Sequence, residues 1–235
     1  MLPVMKTDLT TSPLEVIHLG TVPYSQGLAQ QEARALALQQ GSSPEALYLL
    51  EHDPPVITVG RNADRRHVLW SSHELSAAGI EVHDCSRGGD VTYHGPGQLV
   101  AYAVLDLARR QPPKDLGAYL RDLEEVIIRT LRHFDISGRR IPGLTGVWVG
   151  EPAAKIAAIG VHVSRWITTH GIALNVSPRL DHFATIVPCG LSEPVTSMEE
   201  CVTQRRTPSD TPSQAVPTVD AVARRFADEF ASVFG

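Results

Sequence analysis

One of the three cysteines in this sequence has neighbours that suit covalent chemistry. Cys189 lies between Pro188 and Gly190 in the segment IVPCGLSE. A proline fixes the approach of the chain and a glycine frees the next amide, so a Cys-Gly step can present a thiolate together with an N–H group for an oxyanion. The alternative is a small buried hydrophobic residue, which is what most lone cysteines are. Cys85 and Cys201 lack such neighbours and are interpreted in that second way.

A lysine inside an apolar stretch is the second candidate for chemistry. Lys155 stands in AAKIAAIGVHV, among alanine, isoleucine and valine. A lysine that points inward is partly desolvated, which favours the neutral amine and makes it usable as an acid or base. Because buried lysines are rare, an outward lysine on a half-exposed strand is the competing interpretation.

The segment with the most polar groups is RGGDVTYHGPGQLVAY, residues 87–102. Its glycines allow the backbone to come close to a ligand, and a loop of this kind between strands suits the floor of a binding pocket. A tight turn or bulge with incidental polar groups is the alternative. The pattern is neither GxGxxG nor GxxxxGK[ST], so the common phosphate loops are not indicated. Among ten histidines, only His94 and His170 adjoin glycine-bearing segments, and no metal-ligand spacing is present.

Apolar periodicity predicts the elements that must position these residues. Helical spacing predicts helices over 27–40, over 114–134 and after Pro217, with Thr218 or Asp220 as the cap of the last. Shorter apolar runs predict seven strands, over 46–51, 56–60, 80–85, 98–107, 146–149, 154–163 and 167–176. The run LVAYAVLDL is apolar on both faces, which is typical of a central strand. The three strands within 146–176 have no helix between them and are expected to be antiparallel neighbours.

These elements predict an α/β or α+β fold around a mixed β-sheet, in a single domain over residues 1–235. Residues 1–15 are expected to be disordered and 207–217 to form an exposed loop. With 43% apolar and 20% charged residues, wholesale disorder is excluded, and the net charge of −5 argues against a basic nucleic-acid binder. No apolar run is long enough to span a membrane, and no secretory signal is evident, so a cytoplasmic location is expected.

The order of the motifs resembles the lipoyl(octanoyl) transferase family. RGGDVTYHGPGQLVAY is followed by KIAAIG, then THGIALNV, then PCG, and EHDPPVITVGR upstream is similar to the family's EHPPVYTLGR segment. The resemblance covers most of the chain, with modest departures at Asp53 and Ala103. It implies a fold similar to the catalytic domain of biotin and lipoate protein ligases, with a mixed sheet and a smaller sheet flanked by helices.

The resemblance also implies a reaction. Cys189 would take an octanoyl group from octanoyl-acyl carrier protein as a thioester and pass it to a lysine of a lipoyl domain, with Lys155 as its acid–base partner. Acceptors would be the lipoyl domains of 2-oxoacid dehydrogenase complexes and the glycine cleavage H protein. No cofactor, metal or ATP would be needed, and a monomer is expected. The implied acyl-binding residues are Arg87, Gly88, Gly89, Asp90, Val91, Thr92, Tyr93, His94, Ala158, Ile159, Gly160, Gly171, Ile172 and Ala173.

Two rival functions share parts of these patterns. One is an ATP-dependent lipoate or biotin protein ligase, which needs no cysteine nucleophile. The other is a non-catalytic module that binds acyl groups or lipoyl domains. Because acyl carrier proteins are acidic and this chain is net negative, we expect a local basic patch to dock the carrier. Arg61, Arg65 and Arg66 are the candidates, and Arg139 with Arg140 forms a second basic pair.

Overall fold

The computed structural model describes residues 14–187, 194–205 and 215–235, and these contain two β-sheets. The strands are β1 (Glu15–Val22), β2 (Ala46–His52), β3 (Val56–Val59), β4 (Glu81–Asp84), β5 (Val91–His94), β6 (Gln98–Val104), β7 (Arg139–Ile141), β8 (Leu144–Val149), β9 (Ala154–Ser164) and β10 (Ile167–Asn175). The helices are α1 (Tyr24–Gln39), α2 (Ser72–Ala77), α3 (Leu116–Arg132), α4 (Met198–Arg205) and α5 (Val219–Phe234). None of these helices has the length and apolar character that a membrane crossing requires.

The large sheet has seven strands in the order β1-β2-β6-β10-β9-β8-β7, and the small sheet has the order β4-β3-β5. In the large sheet β1 and β2 are parallel, while β6, β8, β9 and β10 pair antiparallel with their neighbours. The small sheet is also mixed, since β3 is parallel to β4 and antiparallel to β5. The predicted fold class, the central position of the LVAYAV strand and the antiparallel neighbours within 146–176 are all confirmed.

Alternation along β2 and β6 divides the core of the large sheet into two layers. Leu47, Leu49 and Leu99 face α3 and α5, whereas Tyr48 and Leu50 lie with the cluster under α1. Successive strand residues point to opposite faces, so a strand buried on both sides reads as one continuous apolar run. Helices therefore cover both faces of the large sheet.

Capping residues mark where the helices of the first layer begin. The Asp115 side chain accepts a hydrogen bond from the backbone N–H of Ala118 at the start of α3. Thr218 does the same for Ala221 at the start of α5, as the sequence predicts. The described chain starts at Leu14 and β1 begins at Glu15, so the predicted disordered span is too long by these residues. Residues 1–13 and most of the predicted 207–217 loop lie outside the described part of the chain.

A buried carboxylate ties α3 to the far edge of the large sheet. The Glu124 side chain, 1% exposed, accepts hydrogen bonds from Arg121 Nε at 2.8 Å and Arg140 Nε at 3.1 Å. It also accepts one from the Gly146 backbone N–H at 3.1 Å. A charged group out of water is stable only with such partners.

Replacing Glu124 by alanine is expected to lower the free energy of unfolding by about 2 kcal/mol, because three donors lose their acceptor. Urea unfolding measures this change. Glu125, which also pairs with Arg140 but is 28% exposed, is the matched control. Its replacement by alanine is expected to cost less than about 1 kcal/mol. Equal losses in the two variants would contradict the role of burial.

Candidate functional site

A cavity of about 500 Å³ lies where the two sheets meet. Its walls come from the start of α1, from β3, β5 and β6, from the loop before β5, and from the middle of β9 and β10. The lining residues are Tyr24, Thr58, Arg87, Gly88, Gly89, Thr92, His94, Tyr102, Ala158, Ile159, Gly160, His170, Gly171, Ile172 and Ala173. Most of the residues that the sequence assigns to an acyl pocket are therefore brought together in one space.

Three of the predicted binding residues do not line this cavity, and strand alternation explains two of them. Residues 87–102 are not one loop, because Val91–His94 forms β5 and pairs with β3. Thr92 and His94 face the cavity, while Val91 and Tyr93 face the core of the small sheet. The third, Asp90, binds the His67 ring and accepts from the Asp64 backbone N–H. These three residues therefore stabilise the small sheet and the loop behind the cavity wall, and they do not line the cavity itself.

Arg87 fastens the glycine-rich loop to the small sheet. Its side chain donates to the Thr58 hydroxyl from Nε at 3.1 Å and to the Thr58 carbonyl from Nη2 at 2.6 Å. A Cβ atom on Gly160 would lie 3.1 Å from Arg87 Cδ, so glycine at this position of β9 leaves room for the guanidinium stem. The small residues of this wall thus let an arginine and two strands approach closely.

Two neutral imidazoles, His94 and His170, line the cavity, and a third, His52, lies next to His94 with ring centres 5.8 Å apart. Burial is the main cause that lowers the pKa of His52 to about 4, of His94 to about 3 and of His170 to about 4. The partners also set the tautomers. His52 Nδ1 donates to the Val22 carbonyl at 3.1 Å, so its Nε2 accepts from the Tyr102 hydroxyl at 2.7 Å. All three rings are uncharged at neutral pH.

A chain of amides orients His94. Gln98 Nε2 donates to Asn175 Oδ1 at 2.9 Å, so Gln98 Oε1 is the acceptor that His94 Nδ1 contacts at 2.8 Å. Asn175 Nδ2 in turn donates to the Thr196 carbonyl at 2.9 Å. His94 therefore carries its proton on Nδ1 and keeps Nε2 as an acceptor.

These histidines predict that the protein loses stability in mild acid. In the unfolded chain their pKa is about 6.5, so the unfolded state binds protons that the folded state does not. The contribution of these histidines to the free energy of unfolding is fully present above pH 6.5. It falls as the pH drops towards 4, by up to about 3 kcal/mol for each histidine. Urea unfolding at pH 7.5, 6.5 and 5.5 measures the slope. His94→Gln should reduce the slope, whereas the exposed His73→Gln should leave it unchanged. A flat profile in the unmodified protein would contradict this assignment.

Lys155 lies beside the cavity. Its half-buried side chain extends over Trp148, with Nζ 4.7 Å from the centre of the fully buried indole. Together with Gln98 and Asn175 it lines a smaller cavity of about 340 Å³. This smaller cavity shares Thr92, Ala158 and Ala173 with the larger one as wall residues, so Lys155 lies next to the larger cavity.

Cys189 and Gly190 lie outside the described residues, but both flanks of their segment are described. Before it, the Val187 backbone N–H donates to the His67 carbonyl at 2.8 Å, beside the small sheet. After it, the Pro194 carbonyl accepts from the Lys155 backbone N–H at 2.8 Å, and the Thr196 N–H donates to the Lys155 carbonyl at 3.0 Å. The chain thus pairs with His67 at Val187, before Cys189, and with Lys155 from Pro194 onward.

Several lining residues were not predicted from the sequence. Tyr24 begins α1 three residues before the predicted start of the helix, and Thr58 lies in a strand predicted only as framework. Tyr102 ends the predicted pocket segment 87–102 but is not among the implied acyl-binding residues. His170 was placed near a site because a glycine follows it, and it does line the cavity. Among the described residues, no cluster of histidine, cysteine, aspartate and glutamate could hold a metal ion.

The predicted basic patch carries its own acidic partners. Arg65 pairs with Asp84 at 2.5 Å, and Arg66 pairs with Asp64 at 2.5 Å. Arg61 differs, since within the described ranges its guanidinium contacts His162 Nδ1 at 3.1 Å and forms no ion pair. The second pair is also neutralised, because Arg139 and Arg140 contact carboxylates. An uncompensated positive charge therefore remains at Arg61 alone among these five arginines.

Sequence comparison with known proteins identifies the family to which this chain belongs. The family described as the lipoyl protein ligase A/B catalytic domain matches residues 23–231. A relative from Solibacter usitatus, named octanoyltransferase, is 50% identical over 217 residues, which are 92% of this chain and 91% of the relative. The chain belongs to the octanoyltransferase family. Another octanoyltransferase, from Acidobacterium capsulatum, is 46% identical over 94% of this chain and 90% of its own length. The family that the motif order resembles is thus confirmed.

Solved structures show how widely the fold of this octanoyltransferase family member is shared. A lipoate-protein ligase A bound with ATP matches with a TM-score of 0.70 and 18% identity, over 93% of this chain and 84% of that one. A putative lipoate protein ligase from T. acidophilum with bound lipoic acid matches with a TM-score of 0.68 and 16% identity, over 93% and 85%. At such identities the likeness concerns the fold alone, and it confirms the predicted architecture.

Proposed function

We propose that this protein transfers an octanoyl group from octanoyl-acyl carrier protein to a lysine side chain of a lipoyl domain, in lipoate biosynthesis. Membership of the octanoyltransferase family supports the transfer of octanoyl groups. The single observation that carries the mechanism is the pairing of Lys155 with Pro194, five residues after Cys189. It ties the segment that contains the thiol to the strand that contains the amine, next to the cavity.

The first half-reaction makes an acyl-enzyme. The Cys189 thiolate, stabilised by the Lys155 ammonium, attacks the thioester carbonyl of the donor. The new C–S bond forms as the carrier's C–S bond breaks, and the carrier thiolate takes the proton of the ammonium. The Gly190 backbone N–H is the candidate donor to the oxyanion, with a second N–H from the loop before β5. One thioester replaces another, so no ATP is required.

The second half-reaction makes the amide. The amine of the acceptor lysine attacks the acyl-enzyme, an amide bond forms, and the Cys189 thiolate leaves. The now neutral Lys155 takes the proton that the attacking amine loses, which restores the starting ammonium and thiolate. Atoms and charges balance over the cycle, and the amide product is more stable than the thioester.

The cavity between the sheets supports an eight-carbon chain as the acyl group. Its β9–β10 wall is formed by small and apolar residues, including Ala158, Ile159 and Ile172. Each buried methylene contributes about 0.8 kcal/mol, so the chain can supply several kcal/mol of binding. The residues from both sheets form one cavity, which supports a single catalytic domain.

The partners follow from the same chemistry. The donor is octanoyl-acyl carrier protein, and the acceptors are lipoyl domains, including those of 2-oxoacid dehydrogenase complexes and the glycine cleavage H protein. A structural relative is described as a bipartite lipoate protein ligase studied with its E2 lipoyl domain, which supports this acceptor class. Since Arg65 and Arg66 have acidic partners, Arg61 with His162 is the better candidate to contact an acidic carrier.

A transfer assay with two donors tests the proposal. The protein is mixed with a lipoyl domain and either octanoyl-acyl carrier protein without ATP, or free octanoate with ATP, and the mass of the lipoyl domain is measured. Transfer from the carrier alone is expected. Transfer only from octanoate with ATP would replace the proposal by an ATP-dependent ligase. No transfer in either mixture would favour a non-catalytic binding module.

A further inference from the structure

A second cavity lies behind the acyl cavity, on the side of α1. It has a volume of about 700 Å³ and is open to solvent between α1 and the ends of β9 and β10. Four of its twelve lining residues are apolar, namely Leu28, Ala35, Leu36 and Ile167, and they lie among polar residues such as Gln31 and Glu32. Leu36 is 56% exposed. We call this space the α1 groove. The proposed reaction does not use it.

His170 is the one residue that lines both the acyl cavity and the α1 groove in the described chain. The side chain is 3% exposed and stands edge-on to Tyr102, with ring centres 6.0 Å apart. Its Nε2 contacts the Ser86 hydroxyl at 3.3 Å, and its backbone N–H donates to the buried Gln31 side chain. The ring is therefore held as a partition between the two spaces.

The partition lies at the end of the cavity away from Lys155. The space near Lys155 is bounded by Ala158 and Ala173, and these two residues pair across β9 and β10. His170 is three residues from Ala173 along β10, or about 10 Å of extended strand. That length is comparable to an extended eight-carbon chain whose carbonyl carbon lies at the Lys155 end. The methyl end would then meet His170.

We infer that the His170 side chain is the stop that limits acyl length, and that the α1 groove behind it would hold the distal carbons of a longer chain. This inference rests on the proposed function and adds to it a residue that determines specificity. The neutral ring suits contact with a methyl group, since an uncharged imidazole is desolvated at lower cost than a charged one. Leu28, Ala35, Leu36 and Ile167 give the α1 groove apolar surface that a longer chain could contact once the His170 ring is removed.

The test compares acyl lengths in His170→Gly and His170→Asn. The backbone at His170 has φ of 60°, which glycine and asparagine tolerate, so both variants shorten the side chain without backbone strain. Transfer to a lipoyl domain is measured with hexanoyl-, octanoyl-, decanoyl- and dodecanoyl-acyl carrier protein. Each methylene that gains apolar contact adds about fourfold in affinity. The ratio of kcat/KM for dodecanoyl to octanoyl is therefore expected to rise about tenfold or more.

Two further variants identify the groove as the cause. Ala35→Phe places a ring in the α1 groove, so in the His170→Gly background it should remove the gain for long chains, and alone it should leave octanoyl transfer unchanged. His133→Asn, on the far side of the large sheet, should leave the length profile unchanged. An unchanged profile in both His170 variants, while the unmodified protein transfers octanoyl groups, would overturn the inference. If the unmodified protein transfers none, the proposed function itself is wrong.

Discussion

Replacing Cys189 by alanine is expected to remove octanoyl transfer almost completely, with a loss of about a thousandfold or more in kcat/KM. The reason is that both proposed half-reactions pass through a thioester on this thiol, and the other two cysteines lie elsewhere. Among the described residues, Cys85 donates its S–H to the Val59 carbonyl at 3.3 Å, and Cys201 packs against the core under α3 and α5. Neither lines the acyl cavity or the space near Lys155.

Intact mass after incubation with octanoyl-acyl carrier protein measures this directly. The unmodified protein should gain the mass of one octanoyl group, and Cys189→Ala should gain none. Cys201→Ala is the matched control and should keep both the adduct and transfer within about twofold. An adduct that persists in Cys189→Ala, or full transfer by that variant, would exclude the thioester mechanism.

Replacing Lys155 should separate the two half-reactions. Lys155→Met keeps the length of the side chain and removes the amine, so both steps are expected to slow by about a hundredfold or more. Lys155→Arg keeps a positive charge that stabilises a thiolate, but a guanidinium does not accept a proton at neutral pH. The arginine variant should therefore form the acyl-enzyme, with the carrier thiolate taking its proton from water, and then stall before the amide.

Rapid quench followed by mass spectrometry gives the rates of both steps. In Lys155→Arg the acyl-enzyme should accumulate, whereas in Lys155→Met it should form slowly. Lys114→Met, at an exposed turn before α3, is the control for removing a lysine and should match the unmodified protein. Equal rates of amide formation in Lys155→Arg and the unmodified protein would show that another group takes the proton.

The sequence predicts the framework well because its signals are periodic. The apolar run of β6 identifies a strand buried on both faces, and the stripe of α3 identifies a helix on the sheet. Thr218 caps α5 as expected. Most of the predicted acyl-binding residues line one cavity, because the motifs that contain them lie on β9, β10 and the segment around β5, which meet there.

What the sequence does not predict depends on partners that are distant along the chain. The glycine-rich segment has the composition of a loop, but part of it forms β5 because it pairs with β3. Side chains along a strand point to alternate faces, so Val91 and Tyr93 face away from the cavity. Arg65 is distant from Asp84 along the sequence, but in the fold Asp84 lies beside it and forms an ion pair. His170 becomes a partition only because α1 packs against β10. These are long-range contacts, which no local pattern encodes.

The acyl cavity has walls from both sheets and from the start of α1, and no single hairpin encloses it. A ligand in this space has a partner only in the assembled fold and none in the unfolded chain. By mass action, every bound acyl group therefore raises the free energy of unfolding of the whole protein, by about 2.7 kcal/mol at a hundred times the dissociation constant. Occupancy by substrate thus protects the enzyme as a whole, and the empty enzyme between turnovers is the form most exposed to local opening and proteolysis.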